Sequence, residues 1–220
     1  MRKLVAEALG TAMLLIAVVG SGILGERLAG GNIAIALLAG SITTAATLFA
    51  LIQWLGPLSG AHFNPVVSIA MAVRGDISLR SAAAYGFAQL AGGIVGVGIA
   101  NFMFELPVYF LSTHTRAGAP QLLSEFICTF GLVGAVWISS QIRPNSVAGI
   151  VACYVGGTFW FSPTGFANPA VTVARAFTDT LSGIRIVDVP EFIVAQLAGT
   201  LAAVLFFRWL RVDESLKEIE

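Results

Sequence analysis

Charge is what this 220-residue chain has least of: Asp, Glu, Lys and Arg make up only 11% of it, 12 basic against 12 acidic, for a net charge of zero. A soluble globular domain is closer to a quarter charged, and a fold of this size cannot hide 57% apolar residues in one aqueous core. No basic cluster is present to grip a phosphate backbone, which excludes a nucleic-acid partner. Cysteine is equally scarce: Cys128 and Cys153 both sit inside apolar runs and read as small packing residues, not as a disulfide framework or metal site. No nucleophile–base–acid set, glycine-rich phosphate loop or metal-ligand spacing occurs, so an enzyme, a cofactor and a metal are not expected. Asp179 and Asp188 read as solvated loop carboxylates, and His114, in "STHTRAGAP", as exposed.

Long apolar runs take the place of charge. Six stretches, 4–24, 33–55, 81–104, 121–140, 145–162 and 189–210, come near the twenty-odd residues of a membrane helix. The first follows Arg2 and Lys3 without an obvious cleavage site, so it is expected to be retained rather than removed as a signal peptide. Six crossings return both termini to one side. That side holds Arg2, Lys3, Arg74, Arg80, Arg143, Arg208, Arg211 and Lys217, while the other holds Arg27, Arg116, Arg175 and Arg185. The heavier side faces the cytoplasm, which predicts a multi-pass protein of the inner (plasma) membrane with both termini inside. The polar end "RVDESLKEIE" is too short to be a domain, leaving a single membrane domain over 1–220.

Two segments between the spans carry the same device. "HFNPVVSIAMAVR" (His62–Arg74) and "GFANPAVTVAR" (Gly165–Arg175) each place Asn-Pro before a short apolar run. Asn64 and Asn168 are good N-caps. Pro65 and Pro169 then suit the first helical position, where the missing N–H costs nothing, and Val66 and Ala170 continue the helix. About nine apolar residues give a helix of ~14 Å, half the hydrocarbon thickness. The loops fall on opposite sides of the membrane, so two half-helices folding inward would meet end to end and form a broken seventh span. Such backbone is tolerated at that depth only inside protein or along a watery cavity.

The duplication extends further. "AEALGT" and "SEFICT" open spans one and four, each with Glu four residues before Thr (Glu7 with Thr11, Glu125 with Thr129). "AQLAG" occurs at Ala88–Gly92 and again at Ala195–Gly199. Repeat one (about 4–104) and repeat two (about 121–210) thus hold three spans and one re-entrant loop each. An odd number of spans inverts the second repeat, and inverted repeats with broken helices form a transport architecture with its site near the midplane. Gly92-x-x-x-Gly96 in span three, and Gly199 with Ala203 in span six, are small-residue faces for close helix packing.

On the strength of "SGAHFNPVVS", "GFANPAVTVAR", the paired Glu-x-x-x-Thr elements and the two "AQLAG" runs, the chain resembles the major intrinsic protein family, the aquaporins and aquaglyceroporins, over roughly residues 4–210. The resemblance implies an all-α integral membrane fold of six transmembrane helices and two re-entrant half-helices. It also implies a homotetramer with one pore per subunit, Asn64 and Asn168 at the pore centre, and Glu7 and Glu125 buttressing the two loops. His62 lies near the inner pore mouth and either lines it or holds the loop. The family sets its selectivity at four positions, which counting from the motifs assigns to Thr44, Gly156, Gly165 and Val171. The usual Arg is absent at Val171, so the ring is expected to be wide and uncharged. Arg175 would sit one turn further out, either attracting anions at the vestibule or pairing with Asp179 at i+4. "FANPAVTVARAFTDTLSGI" resembles a bacterial aquaglyceroporin branch associated with arsenic resistance, and Val66 is bulkier than the common Ala. The implied function is a passive channel for small uncharged solutes and water, with polyols, neutral arsenic hydroxides and methylated arsenicals as candidates. The rivals are a water-selective channel and an ion- or proton-coupled carrier.

Overall fold

The computed structural model describes residues 1–210; Arg211, Lys217 and the rest of the polar tail lie outside the described residues. Eight α-helices follow in order: α1 (Arg2–Leu28), α2 (Ile33–Ser59), α3 (Pro65–Arg74), α4 (Leu79–Met103), α5 (Ala119–Ile142), α6 (Val147–Phe161), α7 (Pro169–Ala174) and α8 (Val189–Trp209). Single 3-10 turns occupy Pro144–Ser146, Arg175–Phe177 and Ile186–Asp188, and no strand occurs among the described residues.

Local chemistry sets the ends that matter. Asn64 Oδ1 accepts from Val66 N at 3.1 Å, and Asn168 Oδ1 from Ala170 N at 3.0 Å and Val171 N at 3.3 Å, so both Asn residues cap short helices that open on Pro. α3 runs ten residues to Gly75, whose φ of 99° ends it. α7 is shorter than the nine residues expected: it keeps α geometry for six and tightens into a 3-10 turn at Arg175. The fifth span is also short. α6 has 15 residues, about 22 Å at 1.5 Å per residue, whereas α1, α2, α4, α5 and the segment Ile186–Trp209 are each long and apolar enough to cross a membrane. Proline bounds it on both sides: Pro144 opens the preceding 3-10 turn, and Ser162, before Pro163, is extended at φ −136°, ψ 147°, as the residue before proline prefers.

The two halves are built alike. α1 packs against α2 and α4, α5 against α6 and α8, and α2 against α6 joins them; α3 and α7 fill the centre and touch each other. Glycine brings the helices close. A Cβ on Gly92 would stand 2.1 Å from Ala8 O, one on Gly96 2.3 Å from Ala12 O, and one on Gly199 2.5 Å from Phe126 O. α4 thus lies on the α1 backbone as α8 lies on that of α5.

Polarity runs inside out. Glu7, Gln89, Glu125 and Gln196 are fully buried, while Phe87, Val194, Leu201 and Leu205 on the outer helix faces are 60–76% exposed. An aqueous fold would reverse this; lipid demands it, because every interior polar group must find a partner within the protein. One end of the bundle gathers Arg27 (Nη2 to Phe104 O, 2.8 Å), Arg116 (Nη2 to Leu181 O, 2.9 Å) and Arg185 (N to His114 O, 2.9 Å). These belong to the lighter of the two basic groups assigned from sequence.

Candidate functional site at the meeting of the half-helices

Each half-helix is preceded by a loop whose last residues have left-handed backbone: Ala61 (φ 50°) and Phe63 (φ 49°) in the first, Ala167 (φ 47°) in the second. Such angles cost energy for a residue with a Cβ and persist only when the surroundings fix them. The fixing groups are the two carboxylates. Glu7 Oε1 accepts from Ser59 Oγ (2.5 Å) and His62 N (3.1 Å), and its Oε2 accepts from Phe63 N (2.7 Å) and Gln89 Nε2 (2.8 Å). Glu125 Oε1 accepts from Phe166 N (2.9 Å), and its Oε2 from Ala167 N (2.9 Å) and Gln196 Nε2 (2.7 Å). The glutamines complete the brace: Gln89 also donates to Ser68 Oγ at 3.1 Å and Gln196 to Thr172 Oγ1 at 2.9 Å, each hydroxyl lying on the half-helix itself. The Gln of each "AQLAG" run is a functional residue that the sequence reading noted as repeated but gave no role. Thr11 Oγ1 bonds back to Glu7 O at 2.8 Å, whereas Thr129 Oγ1 has no partner among the described residues.

The reversed chain then aims its carbonyls at the opposite loop. Asn64 Nδ2 donates to Ala167 O at 2.8 Å, and Asn168 Nδ2 donates to Phe63 O at 2.9 Å. The two Asn side chains stand together between the half-helix N-termini, each capping its own helix and bridging to the other loop. Both are 5% exposed and line one continuous cavity of about 350 Å³. Its walls are apolar (Leu14, Leu48, Leu132, Val151 among them), with polar groups concentrated at the Asn pair and the two ends. His62 lines the cavity and also holds its loop: Nδ1 lies 3.0 Å from Ser68 Oγ and the ring sits edge-on to Tyr85. Arg74, Asp76 and Ser140 close the same end, where Arg74 pairs with Asp76 and donates to Trp137 O and Ser140 Oγ.

The other end differs from the sequence reading in two respects. Arg175 does not pair with Asp179. Its Nε donates to Ser182 O and its guanidinium carbon lies 3.5 Å from the centre of the Phe166 ring. Asp179 instead accepts from Thr113 N (2.7 Å) and Thr113 Oγ1 (3.0 Å), with His114 Nε2 at 3.8 Å. The i+4 pairing fails because the chain leaves α geometry at Arg175 and is extended at Thr178 (φ −145°, ψ 125°). The Thr113 backbone N–H is the chief reason that the Asp179 carboxyl titrates below its ordinary value. Asp188, in turn, is not a solvated carboxylate: it is 6% exposed, paired with Arg185 at 3.0 Å and accepting from Arg116 N at 2.9 Å. It ties the loop after α4 to the start of α8. His114 is exposed, as expected.

Comparison with known proteins bears on this geometry. The model of the family described as "MIP: Major intrinsic protein" matches residues 1–162. The chain belongs to the major intrinsic protein family. It is similar to the aquaglyceroporin AqpS of Rhizobium meliloti (strain 1021), 47% identical over 210 residues that cover 95% of this chain and 90% of that one. It is also similar to a probable TIP-type aquaporin of Medicago truncatula, 31% identical over 91% of this chain and 85% of the other. The X-ray structure of the aquaglyceroporin from Plasmodium falciparum shares the fold, with a TM-score of 0.70 at 23% identity, covering 100% of this chain and 99% of that one.

Of the four positions counted from the family motifs, three line the cavity: Thr44, Gly165 and Val171. Thr44 is 3% exposed and its hydroxyl has no partner among the described residues. Gly156 is not among the lining residues. A Cβ there would stand 3.0 Å from Ala45 Cβ, so it faces α2. α6 presents Val147, Val151, Val155 and Phe159 to the cavity, one residue per turn, and Gly156 is turned about 100° from that stripe. Phe159 and Phe166, which line the cavity at the Arg175 end, were not singled out from sequence.

Proposed function

We propose that this protein is a passive membrane channel of aquaglyceroporin type, conducting small uncharged solutes together with water. One observation carries the reading: Asn64 and Asn168 stand together inside a continuous cavity, held by reciprocal bonds to Phe63 O and Ala167 O. Two helix N-termini facing each other concentrate partial positive charge at that point, which disfavours cations, while the surrounding polar groups replace the solvent shell of a neutral, hydroxylated solute. Glu7 and Glu125, beside the Asn pair, are spent on loop N–H groups and do not line the cavity, and Asp76 at its end is paired with Arg74. This leaves no free carboxylate among the described lining residues for a coupling ion and favours a channel over a coupled carrier. Thr44, Gly165 and Val171 form an uncharged ring in place of the family's Arg-bearing one, and this wide ring favours polyol-sized solutes over strict water selectivity. Similarity to an aquaglyceroporin at 47% identity supports the same class, with glycerol-like polyols, neutral arsenic hydroxides and methylated arsenicals as candidate solutes. The channel would operate as a homotetramer in the inner membrane with both termini cytoplasmic.

Stopped-flow swelling and glycerol uptake in proteoliposomes test this. A channel gives flux that rises linearly with the gradient and is indifferent to a pH or sodium gradient. Saturation with dependence on either gradient refutes the channel reading, and water flux without glycerol flux favours the water-selective alternative.

A further inference from the structure

Beyond the central cavity lies a second one of about 180 Å³, lined by Ile33, Leu37, Arg116 and Leu181 among others. The two cavities share five residues, Val18, Phe159, Gly165, Phe166 and Arg175. Residues common to both stand at the boundary between them. Arg175, one helical turn outward of Val171, and Gly165 border both cavities, whereas Thr44 and Val171 line only the first.

Two features fit this boundary for a solute. The first is unused donors. Arg175 spends Nε on Ser182 O, and its two terminal nitrogens have no acceptor among the described residues. The ion pairs among the described residues are Arg74–Asp76, His114–Asp179 and Arg185–Asp188, so no described carboxylate lies within ion-pair distance of Arg175 or its neighbour Arg116. The Phe166 ring fixes the position of Arg175, and Arg116, 5.3 Å from the same ring, is itself anchored by Gly183 O and Leu181 O. A guanidinium held by a ring and one carbonyl presents a rigid fork to oxygen acceptors. The second feature is register. In both repeats the cavity is lined by the residues two before, at, three after and seven after the motif position: His62, Asn64, Val67 and Met71 against Phe166, Asn168, Val171 and Arg175. The halves are identical at Asn and Val. Among these four positions the second half departs at Phe166 and Arg175, and these two residues touch; Ala61 and Gly165, three before the motif Asn in each half, differ as well.

We propose that Arg175, backed by Phe166 and facing Phe159, forms the solute-selecting neck of this channel. In this site the guanidinium N–H groups receive the oxygens of a hydroxylated solute while Phe159 packs its carbon side. The proposal rests on the channel reading above and deepens it. The test compares uptake of glycerol with that of a five-carbon polyol, xylitol, in proteoliposomes carrying the native chain, Arg175→Ala or Val171→Ala. Opening the neck is expected to raise the xylitol-to-glycerol ratio by about tenfold, the lower end of the discrimination that one methylene of misfit produces in a closed pocket, and to raise it more in Arg175→Ala than in Val171→Ala. The reverse order, or an unchanged ratio in Arg175→Ala, overturns the proposal. Should Arg175→Ala not yield folded protein, Phe159→Ala opens the same neck from α6 and is held to the same ratio. A native chain that passes neither glycerol nor water above empty vesicles would instead refute the channel reading itself.

Discussion

Gly92→Ala tests whether close helix packing is what makes the polar brace possible. Its new Cβ would lie 2.1 Å from Ala8 O, and backbone cannot swing aside as a side chain would. Contacts below 3.0 Å essentially do not occur for real Cβ atoms, so α4 must withdraw from α1 by about 1 Å. Gln89 is one turn away on the same helix face, and its bond to Glu7 is 2.8 Å; the same withdrawal carries it beyond hydrogen-bonding range. Overpacking costs about 1–3 kcal/mol, and losing a bond to a buried carboxylate costs about 1.5–3 kcal/mol more. Gly199→Ala is milder. Its Cβ meets Phe126 O at 2.5 Å, so about half the displacement suffices, and the 2.7 Å bond from Gln196 to Glu125 stretches without breaking. Gly56→Ala is the control, since nothing lies within 4 Å of its Cβ, and better helix propensity offsets any loss. The assay is the thermal midpoint of detergent-solubilised protein followed by loss of the monodisperse peak. The expected order of stability is Gly56→Ala, then Gly199→Ala, then Gly92→Ala, the last below native by several kcal/mol. A Gly92→Ala protein as stable as Gly56→Ala refutes the coupling of packing to brace.

Glu7→Gln and Glu125→Gln each leave at least one loop N–H facing an amide N–H, at about 1.5–3 kcal/mol; folded yield should fall with little change in selectivity per folded channel, and normal yield with altered selectivity would refute the buttress role. Val171→Arg sets a second guanidinium one turn below Arg175, crowding the chamber with like charge; glycerol uptake should drop more than water permeability measured in the same vesicles, and an unchanged ratio would mean that Val171 does not meet the solute. Asp179 titrates below its ordinary value, so its tie to Thr113 is fully present above about pH 4 and is lost as pH falls through the depressed folded value. Hydrogen exchange at Thr113 should therefore stay slow from neutral pH down to that range and accelerate below it, whereas acceleration that begins well above that range would refute the tie to Asp179.

The parts of this site that could be read from sequence are those in which chemistry is tied to one residue type at one place. Asn followed by Pro can do little else in a membrane protein but cap and start a helix, so both half-helix starts were visible. A Glu inside an apolar span must find donors, and re-entrant loops supply them, which made Glu7 and Glu125 legible as a pair. Face and fine geometry were not so visible. Counting residues gave Gly156 a place along the chain but not a direction, and on α6 the difference of one position turns a residue from the cavity toward Ala45. The i+4 rule paired Arg175 with Asp179 only on the assumption of a continuous α-helix, and the 3-10 turn at Arg175–Phe177 removes that assumption. Asp188 was misread for another reason: its partners, Arg185 and the Arg116 backbone, converge only once the loops after α4 and α7 are folded together.

The two repeats also indicate which interactions tolerate variation. The polar brace is the same in both: Glu, Gln, and a capping Asn bonded to the opposite loop. The apolar filling beside it is not. The residue before the first Asn is Phe63, and a Cβ on Gly10 would lie 2.0 Å from its ring, so that ring occupies the space the glycine leaves. In the second repeat the residue before the Asn is Ala167. The position three after Glu125, matching Gly10, is Cys128, fully buried in the same cluster as Ala167. Large against small has been exchanged for small against larger. Apolar contact requires only that volume be conserved, whereas a buried donor left without its acceptor costs its full desolvation. Phe63→Ala alone should therefore open a cavity against Gly10 and destabilise by about 3–5 kcal/mol, and Gly10→Cys added to it should recover part of the loss. No such volume exchange can replace Gln89 or Gln196, which alone tie the carboxylates of Glu7 and Glu125 to the hydroxyls of the half-helices, and for that reason the polar residues are the ones still recognisable as a repeat.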